Sequence, residues 1–340
     1  MDITGFSDEQ LAGQRLMVGF DGTELNSDLK FLIDSLKVGG IILFTRNLSD
    51  PDQIKHLCRS IQQYAAFCGQ PPLLIAIDQE GGQVARLKEP FTRFPGNPKM
   101  QGKEDAAFFA RVTAQELIDA GINMNMAPVL DVAPEGIQSI MSARAFGHDP
   151  VWVATLGGEV IEQLQRGGIM AVAKHFPGIG RTIVDSHFEQ PSLNVDLSEM
   201  EAADLLPFEV AIKHDVAGIM LSHILYNKID PNWPASLSKR IAKDLLRAQM
   251  GFEGVILTDD LDMGAIKKHC DIKTAMHQIL SANIDIALIC KRSPDVESAF
   301  HEIRKGLATS PELAIKGVES AGRIMNLKRK YLHKFLPVKL

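Results

Sequence analysis

The sequence predicts a closed (β/α)₈ barrel of the TIM type, an α/β fold, on two observations. Short apolar runs recur eight times, at Arg15–Phe20, Gly39–Phe44, Leu73–Asp78, Ile122–Pro128, Ile169–Phe176, Gly218–Ile224, Gly254–Asp260 and Ile284–Cys290. Each is followed by a helical pattern, and strands that alternate with helices imply a parallel sheet with right-handed crossovers. The runs are also apolar on both faces, as strands covered on both sides must be. Eight such units over roughly 300 residues suit a closed barrel, with a doubly wound open sheet as the alternative.

The helices between the strands carry their own start and stop signals. Asp50 before Pro51 sets a cap ahead of a proline at the first helical position. Ser198 with Glu201 fits a capping box. Gly251 stops a helix that begins near Leu237. Residues 311–332 read as a final helix, apolar on one face and basic towards its end. No Ser/Gly/Pro-rich linker or shift in composition interrupts the chain, so residues 1–340 are expected to form a single barrel domain.

Composition excludes several classes of function. A net charge of −6 without any basic stripe argues against nucleic-acid binding. No apolar run approaches the ~18 to 20 residues of a membrane span. The N-terminal Met1–Gln10 stretch is acidic where a secretory signal is basic. Cys58, Cys68, Cys270 and Cys290 lack metal spacing and read as reduced thiols. The expectation is a cytoplasmic protein; nothing in the sequence sets its oligomeric state.

Polar residues gather where such a barrel has its active site, past the C-terminal ends of the strands. The third run ends in Asp78-Gln79-Glu80-Gly81-Gly82, with Arg86 shortly after. The fourth leads to Asp131 and on to Arg144, and the fifth delivers Lys174 and His175. The sixth ends at Ser222-His223 and the seventh at Thr258-Asp259-Asp260, while no comparable cluster is apparent at the N-terminal ends. Asp185 and His187 lie two apart in the loop after the fifth run. In an extended segment residues so spaced point the same way. The Asp185 carboxylate can therefore accept a hydrogen bond from the imidazole, raise its pKa and make it a proton relay. A carboxylate at 259 or 260 with such a relay suits glycoside cleavage by a retaining route, a histidine serving where a carboxylic acid usually does. Strand parity does not choose between the two aspartates, since Val255/Leu257 and Ile256/Thr258 are equally plausible inward faces.

These motifs together resemble the family 3 glycoside hydrolases. Lys174-His175-Phe176-Pro177-Gly178 with Asp185-Ser186-His187, Ile77–Gly82, Leu257-Thr258-Asp259-Asp260-Leu261 and Asn123–Asp131 carry the resemblance, over residues 11 to 290. It is strongest to the bacterial β-N-acetylhexosaminidases that act on peptidoglycan fragments. The resemblance implies Asp259 as nucleophile, His187 as acid/base and Asp185 as its partner. Asp78, Arg86, Arg144, Lys174 and His175 match positions that bind N-acetylglucosamine. It also implies no metal or organic cofactor, and a small sugar or muropeptide as substrate. The chain departs from the family at Gly178-Ile179-Gly180-Arg181-Thr182, where Gly-His-Gly-Asp-Thr is usual, and over Ser139–Ala143 before Arg144. Arg181 reverses the local charge, while the loop's glycines suggest a segment free to close over substrate.

Two other classes of function fit parts of the pattern. A metal-dependent barrel hydrolase could use His175, His187, His223 and a carboxylate, although the HxH and HExxH spacings are absent. A non-catalytic sugar-binding barrel has no use for a retained proton relay.

Overall fold

A computed structural model describes residues 3–186 and 188–332. Eight parallel strands close a barrel in sequence order: β1 (Leu16–Val18), β2 (Gly40–Leu43), β3 (Leu74–Ile77), β4 (Met124–Asn125), β5 (Met170–Phe176), β6 (Gly218–Leu221), β7 (Val255–Asp260) and β8 (Ile286–Ile289). Each neighbour pairs with the next, and β8 returns to β1 with Leu16 opposite Ala287. Every apolar run expected to be a strand contains one of the eight. Among the described residues no helix is long and apolar enough to cross a membrane.

Two cores hold the barrel. Inside it lie Met17, Ile42, Leu74, Ala76, Met124, Met170, Val172, Met220, Val255, Leu257, Ile286 and Leu288. Residues of opposite parity, such as Ile41, Ile75, Ala171, Ile219, Ile256 and Ala287, pack outward against the helices. This alternation settles which residues past a strand's end face the axis.

The helix Pro51–Phe67 starts as expected, its Asp50 carboxylate accepting the Gln53 N–H with Pro51 in the first turn. The capping box at Ser198 does not form. Asp196 caps Leu197–Glu201 instead, one carboxylate oxygen accepting both the Glu199 N–H and the Ser198 hydroxyl. An aspartate one position before the helix outcompetes a serine already inside it. The segment ahead of Gly251 begins as a short 3-10 turn at Ala235–Leu237, continues as a wide helix over Arg240–Gln249, and ends at Gly251 with φ +72°. The last helix, Pro311–Leu332, folds beneath the barrel and places Ile324, Met325, Leu327 and Leu332 against the interior core.

A charged cluster that sequence did not announce lies at the N-terminal ends of the strands. Asp285, fully buried just before β8, accepts hydrogen bonds from Arg247, Arg323, Ser320 and the Ile256 N–H. Arg15, buried just before β1, donates to the carbonyl of Ile284. Beside it the buried Lys328 ammonium donates to Gln14 at 2.6 Å.

Candidate active site

On β3, β5, β7 and β8 the next inward position past the last interior apolar residue lines a cavity of about 290 Å³ at the C-terminal mouth. Leu74 and Ala76 lead in phase to Asp78, Met170 and Val172 to Lys174, Val255 and Leu257 to Asp259, and Leu288 to Cys290. His175 joins Lys174 because the ladder slips: Lys174 opposes Met220 and Phe176 opposes Leu221. Such a bulge re-aims a side chain beside a site. A second slip between Leu257 and Asp260 brings Asp260 to the cavity beside Asp259.

Five charged groups form one continuous network on the cavity wall. Lys174, nearly fully buried, donates to Asp78 at 2.8 Å and lies 2.7 Å from Glu80. Arg144 grips Glu80 with both edges, at 2.9 Å from Nε and 2.7 Å from Nη2. Arg86 reaches the other oxygen of Asp78 at 3.2 Å. Burial works against the Asp78 and Glu80 anions, yet the neighbouring cations win. Asp78 is lowered to about 2, and Glu80 also lies below the usual carboxylate range. Lys174 is held above its ordinary value despite burial by the same two carboxylates. All five are charged at neutral pH, and their fixed positions supply donors and acceptors for the hydroxyls of a ligand.

His175 is aimed by Asp131, which is buried in the segment that follows β4. The imidazole Nδ1 lies 2.7 Å from one carboxylate oxygen, so it carries the proton there. The other oxygen accepts the backbone N–H of His175 and of Ile179. The Nε2 edge has no protein partner among the described residues.

The two adjacent aspartates, indistinguishable by sequence, have different surroundings. Asp260 accepts N–H groups from Asp262 and Cys290, both at 3.0 Å, and its carboxyl is nonetheless pushed up to about 6, chiefly by burial. Asp259 accepts one N–H, from Asp260 at 2.8 Å. Burial pushes it up, but the imidazoles of His223 and His175, that N–H and Lys174 hold it below the ordinary range. Asp259 is therefore the ionised carboxylate with an oxygen to spare, and Asp260 is a tethered group near its titration point. His223 stands behind the pair, bonded to Ser236 and to the Asp260 carbonyl.

A larger cavity, about 540 Å³, opens where Asn123 and Gly168 precede their strands, with Glu162, His214 and Tyr331 on its walls. It lies at the opposite end from the polar strand termini, and ligand sites of such barrels are built at those termini.

Residues 8–327 match the N-terminal domain of glycosyl hydrolase family 3. The chain belongs to this family. It is thereby a glycoside hydrolase. It is 38% identical over 289 residues to a beta-hexosaminidase of Nitrosomonas eutropha, covering 82% of this chain and 81% of that protein. Among solved structures it resembles a family 3 beta-N-acetylglucosaminidase from Paenibacillus sp. str. FPU-7, with a TM-score of 0.93 and 36% identity. That match covers 97% of this chain, which spans 64% of the Paenibacillus chain. A beta-N-acetylhexosaminidase from Beutenbergia cavernae matches with a TM-score of 0.86 and 29% identity, over 95% of this chain and 99% of the other.

Of the residues singled out by sequence in this family 3 hydrolase, Asp78, Arg86, Arg144, Lys174, His175 and Asp259 all line the one mouth cavity. Asp185 lies on the loop after β5, while His187 falls outside the described residues. Glu80 and Asp131 were missed as site residues. Their signals were present: Glu80 stands two positions after Asp78, on the same side of an extended segment, and Asp131 is a carboxylate at a buried strand's exit. Among the described residues no group of three or more His, Cys, Asp or Glu is arranged to hold a metal ion.

The loop after β5 is anchored despite its departures from the family pattern. Arg181 donates to the buried Asp204 at 2.8 Å and to Glu199 at 2.7 Å. The Gly178 carbonyl accepts the Tyr226 hydroxyl at 2.8 Å. Gly180 passes so close to the Val132 carbonyl that a Cβ would lie 1.7 Å from it. In residues 177–182 this glycine serves tight packing.

Proposed function

We propose that this hydrolase removes terminal β-linked N-acetylglucosamine from peptidoglycan fragments such as N-acetylglucosaminyl-anhydro-N-acetylmuramic acid, with retention of configuration. The observation that carries the reading is the asymmetry at the strand β7 terminus, where Asp259, unlike Asp260, offers an ionised, incompletely bonded carboxylate to the cavity. Asp78 and Glu80 accept from sugar hydroxyls, and Lys174, Arg86, Arg144 and His175 Nε2 donate or pair with ring and amide oxygens.

In the first step an Asp259 oxygen attacks the anomeric carbon as the glycosidic C–O bond breaks. The departing oxygen takes the proton from His187, with Asp185 as its partner in the relay that the sequence spacing suggests. In the second step water yields a proton to His187 and its oxygen displaces Asp259, restoring the free carboxylate. The relation to beta-hexosaminidases and to a beta-N-acetylglucosaminidase supports the substrate class. The reading includes a cytoplasmic location and a sugar or muropeptide as the substrate.

Incubation with N-acetylglucosaminyl-anhydro-N-acetylmuramic acid, beside aryl β-glucosides, tests it. Release of β-configured N-acetylglucosamine, lost in Asp259→Asn, is expected. Faster turnover of the glucoside, or an inverted first product, would overturn it.

A further inference from the structure

The loop that carries Asp185 is held at two distinct places. Its first half is tied to Asp131, Asp204 and Tyr226. Its second half is tied to the segment that follows the nucleophile's strand. The Ser186 carbonyl accepts the Ala265 N–H at 3.1 Å, and Glu189 pairs with Lys268 at 2.6 Å. Between those points the Asp185 carbonyl accepts the N–H of Phe188 and of Glu189, which folds the chain into a turn. The turn therefore rides on the helix Gly264–Lys267, directly downstream of Asp259 and Asp260.

Three of the six residues from Ile183 to Phe188 are large, apolar and solvent-exposed: Ile183 at 67%, Val184 at 41% and Phe188 at 69%. Single exposed apolar side chains need no explanation. Phe31, Phe67, Phe108, Ile118 and Val151, elsewhere on the molecule, are of that kind and sit on outer helices. Three such residues within six positions of the loop after β5 are different, and their charged neighbours Glu189 and Lys268 neutralise each other. These side chains offer nothing to sugar hydroxyls.

We propose that Ile183, Val184 and Phe188 form the leaving-group subsite, which takes aglycones that present a flat apolar face. The inference rests on the function proposed above. An acid delivers its proton within hydrogen-bond distance of the glycosidic oxygen. If the acid is the residue between Ser186 and Phe188, whatever is attached beyond that oxygen departs across this turn. Apolar contact there strengthens as the aglycone docks and contributes to kcat/KM through the bond-breaking step.

The test compares 4-nitrophenyl β-N-acetylglucosaminide with β-N-acetylglucosaminyl azide, which share the sugar and differ in the size of the leaving group. In Phe188→Ala the ratio of their kcat/KM values is expected to fall about tenfold against the nitrophenyl substrate, and Phe188→Leu to restore most of it. Equal falls on both substrates, as expected of a residue needed only to hold the loop, would overturn the subsite. An unchanged ratio with unchanged rates would overturn it as well. Failure of the unaltered protein to cleave either substrate would instead overturn the N-acetylglucosaminidase reading beneath it.

Discussion

The two ends of the barrel carry buried charge in similar amounts and to different purpose. At the mouth Asp78, Glu80, Lys174, Arg86 and Arg144 form a network that opens onto a cavity with Asp259 at its side. At the floor Asp285 is wrapped by Arg247, Arg323, Ser320 and the Ile256 N–H, with Arg15 and Lys328 close by. The Asp285 carboxylate spends both oxygens on protein donors. Its arginines come from two helices outside the barrel, so the cluster joins helices to strands. Buried ion networks alone do not mark a site. What distinguishes the mouth is an ionised group left with a free oxygen, facing a space that a ligand can fill.

The sharpest way to break this contrast is to remove Asp285. Asp285→Ala strands two half-buried guanidinium groups around a fully buried position and is expected to cost about 3 kcal/mol of unfolding free energy. Chemical denaturation measures the loss, while kcat of the folded fraction stays close to that of the parent. A large fall in kcat with little change in stability would put function at the floor. At the mouth the expectation reverses. Glu80→Gln leaves Arg144 and Lys174 without their shared anion and should lower kcat/KM by about ten- to a hundredfold. Steady-state kinetics reads this, and an unchanged value would remove Glu80 from the sugar-binding wall.

The smallest expected effect concerns Lys328. Burial pushes its ammonium down to about 7, whereas a lysine in an unfolded chain titrates near 10.4. Between those pH values the unfolded chain binds one more proton than the folded one. Stability therefore rises with pH across that window, by at most about 1.4 kcal/mol per pH unit. Lys328→Met should flatten the rise between pH 7 and 9.5 in denaturation midpoints. An unaltered slope would show that the amine is not held neutral.

The same contrast explains what the sequence could and could not tell. The eight strands were legible because apolar runs buried on both faces leave little room for another pattern. The mouth was legible because its charges follow directly on those runs, as Asp78, Lys174 and Asp259 do. The floor was not, since Arg247 and Arg323 sit in amphipathic helices where an arginine ordinarily faces water. Only the fold brings them to Asp285. The choice between Asp259 and Asp260 was hidden for another reason. It depends on which face of β7 turns inward and on a slip in its ladder, and a single strand records neither. Asp131 was visible as a carboxylate, but its partnership with His175 spans two strands.

Trapping the covalent intermediate is the most direct measurement of the central claim, that Asp259 performs the chemistry at the mouth. A 2-fluoro glycosyl inhibitor followed by peptide mass spectrometry should place the sugar on Asp259, and Asp259→Asn should take up none. A label on Asp260, or inactivation without any label on this strand, would contradict the account.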